Sequence, residues 1–98
     1  MSEAKQIAER AKYNNCHVLT VSWNCYENGK NFWQLLAGTE CNGGFEMATR
    51  PTRAAAITLA LDVVNSVDDG FILAWQNGRD FYWIDVPHYR RTGQRRAI

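Results

Sequence analysis

From Leu19 to Cys25 apolar and polar residues alternate without a break. Leu19, Val21, Trp23 and Cys25 fall on one side, and Thr20, Ser22 and Asn24 on the other. That period of two predicts a strand with one buried and one wetter face. Asn28-Gly29 follows, and then the apolar-rich run from Phe32 to Leu36. Asn-Gly suits a two-residue type I′ hairpin turn, because both central positions need positive φ. Such a turn sets the pairs Glu27/Lys30, Cys25/Phe32, Trp23/Gln34 and Val21/Leu36. A second Asn-Gly, Asn77-Gly78, predicts another hairpin with pairs Gln76/Arg79, Ala74/Phe81 and Ile72/Trp83. Its other face carries Phe71, Leu73, Trp75, Tyr82 and Ile84, so it is apolar on both sides.

Two segments carry the helical period instead. Ser2 can cap a helix to about Tyr13 with the thin stripe Ala4, Ile7, Ala8 and Ala11, stopped by Asn14-Asn15. Thr49 or Thr52 can cap a second, with Pro51 near its first turn, where a missing N–H is harmless. Its stripe is Ala54, Ile57, Leu61 and Val64, widened by Ala60 and Val63, and it ends at Asn65-Ser66. Thr39 to Gly44 reads as a loop, and Phe45 to Ala48 as a short third strand. The predicted fold is α+β, in the order α-β-β-β-α-β-β. It is a single antiparallel sheet of four to five strands with both helices on one face. Val21, Trp23, Phe32, Ile57, Leu61, Val64, Ile72 and Phe81 are the expected core.

The stretch Tyr26 to Trp33 echoes Trp75 to Tyr82 position by position, at an offset of 49, half the chain. Two readings stand: convergent hairpin chemistry, or a duplicated α-β-β unit.

Composition narrows the class. Ninety-eight residues allow one domain, and 46% hydrophobic with 21% charged is ordinary globular usage. The organisation read here is one α+β domain over residues 1–86 and a basic tail over 87–98. Arg90, Arg91, Arg95 and Arg96 give the tail four positive charges, while residues 1–86 are net −3. A tail of this kind is expected to be solvated. No apolar run reaches membrane-spanning length, and Met1 to Lys12 has no signal-like apolar core, so no membrane partner is expected. Three cysteines at irregular spacing argue for a reducing, cytoplasmic setting.

Catalytic constellations are weak. Cys16 and His17 are adjacent, and on a strand adjacent side chains diverge. Cys16, His17, Cys25 and Cys41 lack the close pairing of a structural zinc site. Asp68-Asp69 before Gly70 reads as a turn, and Gly43-Gly44 does not lead into a helix N-terminus as a phosphate cradle does. The expectation is a non-enzyme with no cofactor and no metal. More informative are the four Trp, four Tyr and four Phe. In the register above, Trp33, Leu35, Trp75 and Tyr82 would line an open sheet face, as a protein interface or a stacking platform for bases. In the nucleic-acid alternative, Arg90, Arg91, Arg95 and Arg96 would contact phosphates.

The stretch from Phe45 to Leu61 contains Ala48-Thr49-Arg50-Pro51 and then an alanine-rich helix. It resembles the strand-to-helix segment of small bacteriophage proteins of the ABA-sandwich type, which share an Ala-Thr-x-Pro turn. The overall plan is similar in style to anti-CRISPR proteins, short single-domain phage products that bind effector complexes. This resemblance implies a binding protein of a phage or mobile element that occludes a host protein or ribonucleoprotein complex in the host cytoplasm. It implies no catalytic residue. A homodimer stays open.

Overall fold

The computed structural model describes residues 2–39, 42–66, 72–77, 80–84 and 91–94, with backbone alone at 42–43, 74–77 and 80–84. Its elements are α1 (Glu3–Tyr13), β1 (Val18–Cys25), β2 (Asn31–Thr39), β3 (Asn42–Arg50), α2 (Arg53–Asn65), β4 (Ile72–Asn77) and β5 (Asp80–Ile84).

Capping sets both helices. The Ser2 hydroxyl accepts the Lys5 N–H at 3.2 Å and starts α1. At the other end Asn15 adopts φ 59°, the Cys16 N–H donates to the Ala11 carbonyl, and the Asn15 N–H donates to that of Lys12. This pair of bonds around a left-handed residue is the Schellman motif, and it turns the chain directly into β1. Thr52 caps α2 by accepting the Ala55 N–H at 3.2 Å, with Pro51 just before the cap, and Thr49 belongs to β3. Around α2 only Ala54, Thr58, Asp62 and Asn65 form an exposed stripe. Ala56, Ile57, Leu59, Ala60, Leu61, Val63 and Val64 are buried, because the helix packs against the sheet on one side and α1 on another.

The strands form one sheet in the order β3-β2-β1-β4-β5. Three ladders are antiparallel, but β1 and β4 run parallel. The sheet is therefore mixed, not antiparallel throughout. The connection between β3 and β4 carries α2, and a crossover of that length can return the chain in the direction it left, which a hairpin cannot.

The first hairpin differs from expectation by one residue. Tyr26 and Lys30 close the ladder, with the Tyr26 N–H donating to the Lys30 carbonyl at 2.9 Å. The Gly29 N–H donates to the Tyr26 carbonyl at 2.9 Å, and Gly29 has φ 83°. Asn28 does not have positive φ. The loop is thus Glu27-Asn28-Gly29, a type I turn followed by a left-handed glycine, not a two-residue type I′ turn. Val21 pairs with Leu35 instead of Leu36, Trp23 with Trp33 and Asn24 with Phe32. A slip of one exchanges the faces of the whole second strand. In the second hairpin Asn77 pairs with Asp80 and Trp75 with Tyr82. That is a shift of two from the expected pairing, which preserves the parity of the register. Residues 78–79, at its turn, lie outside the described set.

The expected loop at 39–44 is mostly strand. Thr39 pairs with Asn42, and β3 runs unbroken to Arg50 with two bulges. Gly44 (φ 81°) makes one of them fit: a Cβ there would stand 1.6 Å from the Ala37 carbonyl oxygen. The other bulge lies at Met47, which is buried in the core beside the partly buried Ala48.

One core joins the helices to a single sheet face. Ile7, Ala8 and Ala11 of α1 and the apolar arc of α2 meet Leu19, Val21, Leu35, Ala37, Met47 and Leu73. Of the expected core, Val21, Ile57, Leu61 and Val64 lie here. Phe32 is buried on the opposite face, Trp23 and Ile72 are exposed, and the Phe81 side chain lies outside the described set.

The topology also bears on the echo. With β1 and β4 pointing the same way and both helices on one face, β2 lies to one side of β1 and β5 to the other side of β4. The two α-β-β units have opposite hands, and no rotation superposes them. A duplicated α-β-β unit that kept its hand would superpose on its copy, and these two do not.

Candidate partner-binding ribbon

Two ladders stop short of the first hairpin's tip. The β1–β4 pairing ends at Val21–Trp75, and the β2–β3 pairing ends at Trp33–Arg50. Beyond them β1 and β2 continue together as a two-stranded ribbon to the Glu27-Asn28-Gly29 loop, and residues 23–31 are all exposed.

The register gives each ribbon face its own aromatic pair. On the helix side, Trp23 lies opposite Trp33, and Trp33 lies opposite Arg50 of β3. Trp33 packs against the core, and the Arg53 guanidinium carbon sits 5.7 Å from its ring centroid. This is cation–π distance, and a guanidinium stacked by its face keeps its N–H edge in the plane. Arg50 forms an ion pair with Glu3 at the start of α1, and its guanidinium also donates to the Thr49 carbonyl at 2.7 Å. The first residues of both helices, Glu3 and Arg53, therefore flank the base of the ribbon.

On the opposite face Tyr26 stacks on Phe32, with centroids 4.2 Å apart and planes 24° apart. Phe32 is buried and Tyr26 half exposed. Beside them Asn24 donates to Gln34 at 3.3 Å, and Gln34 donates to Glu46 at 2.6 Å, a polar chain across three strands. Such bonds hold this face in one arrangement and leave it polar.

Of the residues singled out in the sequence, Trp33 belongs to the site and Leu35 does not. Leu35 is 1% exposed, under the helices, because the one-residue slip turns it inward. Trp33 lies on the helix-covered face rather than an open one for the same reason. Trp75 and Tyr82 pair with each other, and Trp75 also neighbours Val21, but their side chains lie outside the described set. Trp23, Tyr26 and Arg53 were not singled out. Their signal was present: a three-residue loop ending in Gly29 is the other common Asn-Gly hairpin, and it puts Trp23 opposite Trp33 where the two-residue turn does not.

The other candidate chemistry is dispersed. Cys16 is buried in the α1 cap, its Sγ donating to the Asn14 carbonyl at 3.6 Å. The His17 backbone joins two strands, its N–H donating to the Gly38 carbonyl and its carbonyl accepting from Ile72. Cys25 is exposed on the ribbon. Cys41, Asp68, Asp69 and His88 lie outside the described residues, as do Arg90, Arg95 and Arg96 of the tail; Arg91 is exposed. Among the described residues no three of His, Cys, Asp and Glu group as metal ligands, and no helix is long and apolar enough to cross a membrane. A groove of about 380 Å³ between α1 and β3 is lined by Glu3, Gln6, Ile7, Arg10 and Met47. Its charged groups already have partners, with Arg10 donating to the Met47 carbonyl at 3.2 Å and Glu3 paired to Arg50.

Comparison with protein-family profiles, curated proteins and solved structures gives no match.

Proposed function

We propose that this chain is a non-enzymatic binding protein that occludes a protein partner with its β1–β2 ribbon. The observation that carries the reading is the paired Trp23 and Trp33 at the ribbon base, with Arg53 over Trp33 and Trp23 45% exposed. Trp, Tyr and Arg dominate interface hot spots, because they bury large areas at little conformational cost. The rest of the ribbon includes Ser22, Asn24, Tyr26, Asn28, Gly29 and Asn31. That mixture of rigid aromatics and adaptable polar groups is the chemistry of engineered and natural paratopes.

Charge favours protein over nucleic acid as the partner. Between Ser22 and Trp33 the charged residues are Glu27 and Lys30, so the ribbon is neutral. Binding to a phosphate backbone draws on many cations and counterion release. The host-defence identity of the partner rests on the likeness of the overall plan to anti-CRISPR proteins, and the phage origin on the resemblance of residues 45–61. The experiment is affinity capture from host lysate, followed by titration of the captured protein, and of single-stranded and duplex nucleic acid, with wild-type and Trp23→Ala protein. Tight binding of one protein that Trp23→Ala weakens supports the reading. Salt-sensitive binding to nucleic acid alone overturns it.

A further inference from the structure

The ribbon tip holds a reactive dipeptide whose chemistry is separate from that of the tryptophan pair at its base. Asn28 and Gly29 are both exposed, and nothing lies within 4 Å of the position a Gly29 Cβ would take. The Asn28 side-chain carbonyl accepts the Lys30 N–H at 2.9 Å, and the Gly29 N–H, whose nitrogen would attack, donates to the Tyr26 carbonyl at 2.9 Å, a turn bond that must open as the new bond forms. Attack on that amide by the Gly29 nitrogen would place negative charge on Oδ1. A backbone donor at this distance is already aimed at the oxygen where the charge develops.

We infer that Asn28 is a site of spontaneous, self-catalysed modification: cyclisation onto Gly29 and hydrolysis to aspartate and isoaspartate. In the first step the bond between the Gly29 nitrogen and the Asn28 Cγ forms and the Cγ–Nδ2 bond breaks. Ammonia leaves with the proton that the Gly29 nitrogen gives up, and a five-membered imide remains. Water then opens the ring. Addition at Cγ gives an ordinary aspartate at position 28, and addition at the main-chain carbonyl carbon gives the isoaspartyl linkage. No other reactant is needed.

The two products act differently on the ribbon. Both products carry a new carboxylate that changes the formal net charge from +1 to neutral, and the ordinary aspartate keeps an acceptor for the Lys30 N–H. The isoaspartyl product adds a backbone carbon to a loop whose length sets the Trp23–Trp33 register. Asn42, also followed by glycine, provides an internal comparison. It lies in β3, paired with Thr39, where the ladder holds the backbone extended.

The test ages the folded full-length chain at mildly alkaline pH. Peptide mapping by mass spectrometry then follows Asn28 and Asn42, with electron-transfer fragmentation to distinguish aspartate from isoaspartate. A parallel sample is aged unfolded in urea. The expected result is conversion of Asn28 several-fold faster than Asn42 in the folded chain, and much less selectivity in urea. A Gly29→Ala variant, whose added methyl hinders the attacking nitrogen, should slow Asn28 conversion in urea as well as in buffer, so its effect does not depend on folding. Equal rates at Asn28 and Asn42 in the folded chain, or an Asn28 that stays intact while the urea sample converts, would overturn the inference.

Discussion

Trp23 stands directly opposite Trp33 across the β1–β2 ladder, yet Trp23 is 45% exposed while Trp33 packs against the core beneath Arg53. The pair divides two tasks between chemically identical side chains. Trp33→Ala should cost about 2–3 kcal/mol, since it removes a large packed ring, and Trp23→Ala about 1 kcal/mol. Urea denaturation of both variants checks the ranking. Equal losses would mean that Trp23 is packed as firmly as its partner.

Two glycines with nearly the same backbone should respond very differently to a methyl group. Gly29 has φ 83° and open space at its Cβ position, so Gly29→Ala should cost about 1–2 kcal/mol, the left-handed penalty alone. Gly44 has φ 81°, and its Cβ would overlap the Ala37 carbonyl. Because that obstacle is backbone in the adjacent strand, Gly44→Ala should cost at least about 3 kcal/mol or shift the β2–β3 register. Thermal unfolding of the two variants side by side measures the difference. Matching melting temperatures would rule out the close approach of β3 to Ala37.

Leu35 and Leu36 test the hairpin register. In the observed ladder Leu35 faces Val21 inside the core, and Leu36 faces Thr20 on the other side. Leu35→Ala should therefore lose about 2–5 kcal/mol and Leu36→Ala no more than about 1–2 kcal/mol. The two-residue turn reverses the order. A larger loss for Leu36→Ala would restore that turn and bring Leu35 back to an accessible face.

What the sequence made legible follows from where the signals are local. Ser2, Thr52 and Asn14-Asn15 act within one turn of a helix, and the stripe Ile7-Ala8-Ala11 repeats at a fixed period, so both helices stand where expected. The register of β1 against β2 depends on whether Asn28 or only Gly29 enters the left-handed region, and the dipeptide suits either turn. One residue of ambiguity there moved Leu35 inward and hid the Trp23–Trp33 pair. The parallel β1–β4 pairing was illegible for another reason. It joins Val18–Val21 to Ile72–Trp75, and nothing in either tetrapeptide encodes the direction of its neighbour. Gly43-Gly44 read as loop because glycine is poor in strands, whereas Gly44 is needed where two backbones nearly touch.

Partner binding should follow the ribbon and not the basic tail. A chain ending before His88 loses Arg90, Arg91, Arg95 and Arg96 and keeps every residue of the ribbon, both helices and the strands they pack on. Its affinity for the captured protein should match that of the full chain, because charges outside the aromatic centre of an interface contribute to encounter more than to the bound state. Trp23→Ala should weaken the same complex by about 2 kcal/mol or more if its exposed ring is buried there as a hot spot, mostly through faster dissociation. Raising the salt should change the affinity little, given the neutral ribbon. The measurement is surface-based kinetics on three proteins: full-length, truncated and Trp23→Ala, each first checked for folding by circular dichroism. The opposite pattern would be decisive. If truncation abolishes binding, Trp23→Ala leaves it intact and affinity falls steeply with salt, then the arginine tail carries the interaction, and a nucleic-acid partner replaces the protein one.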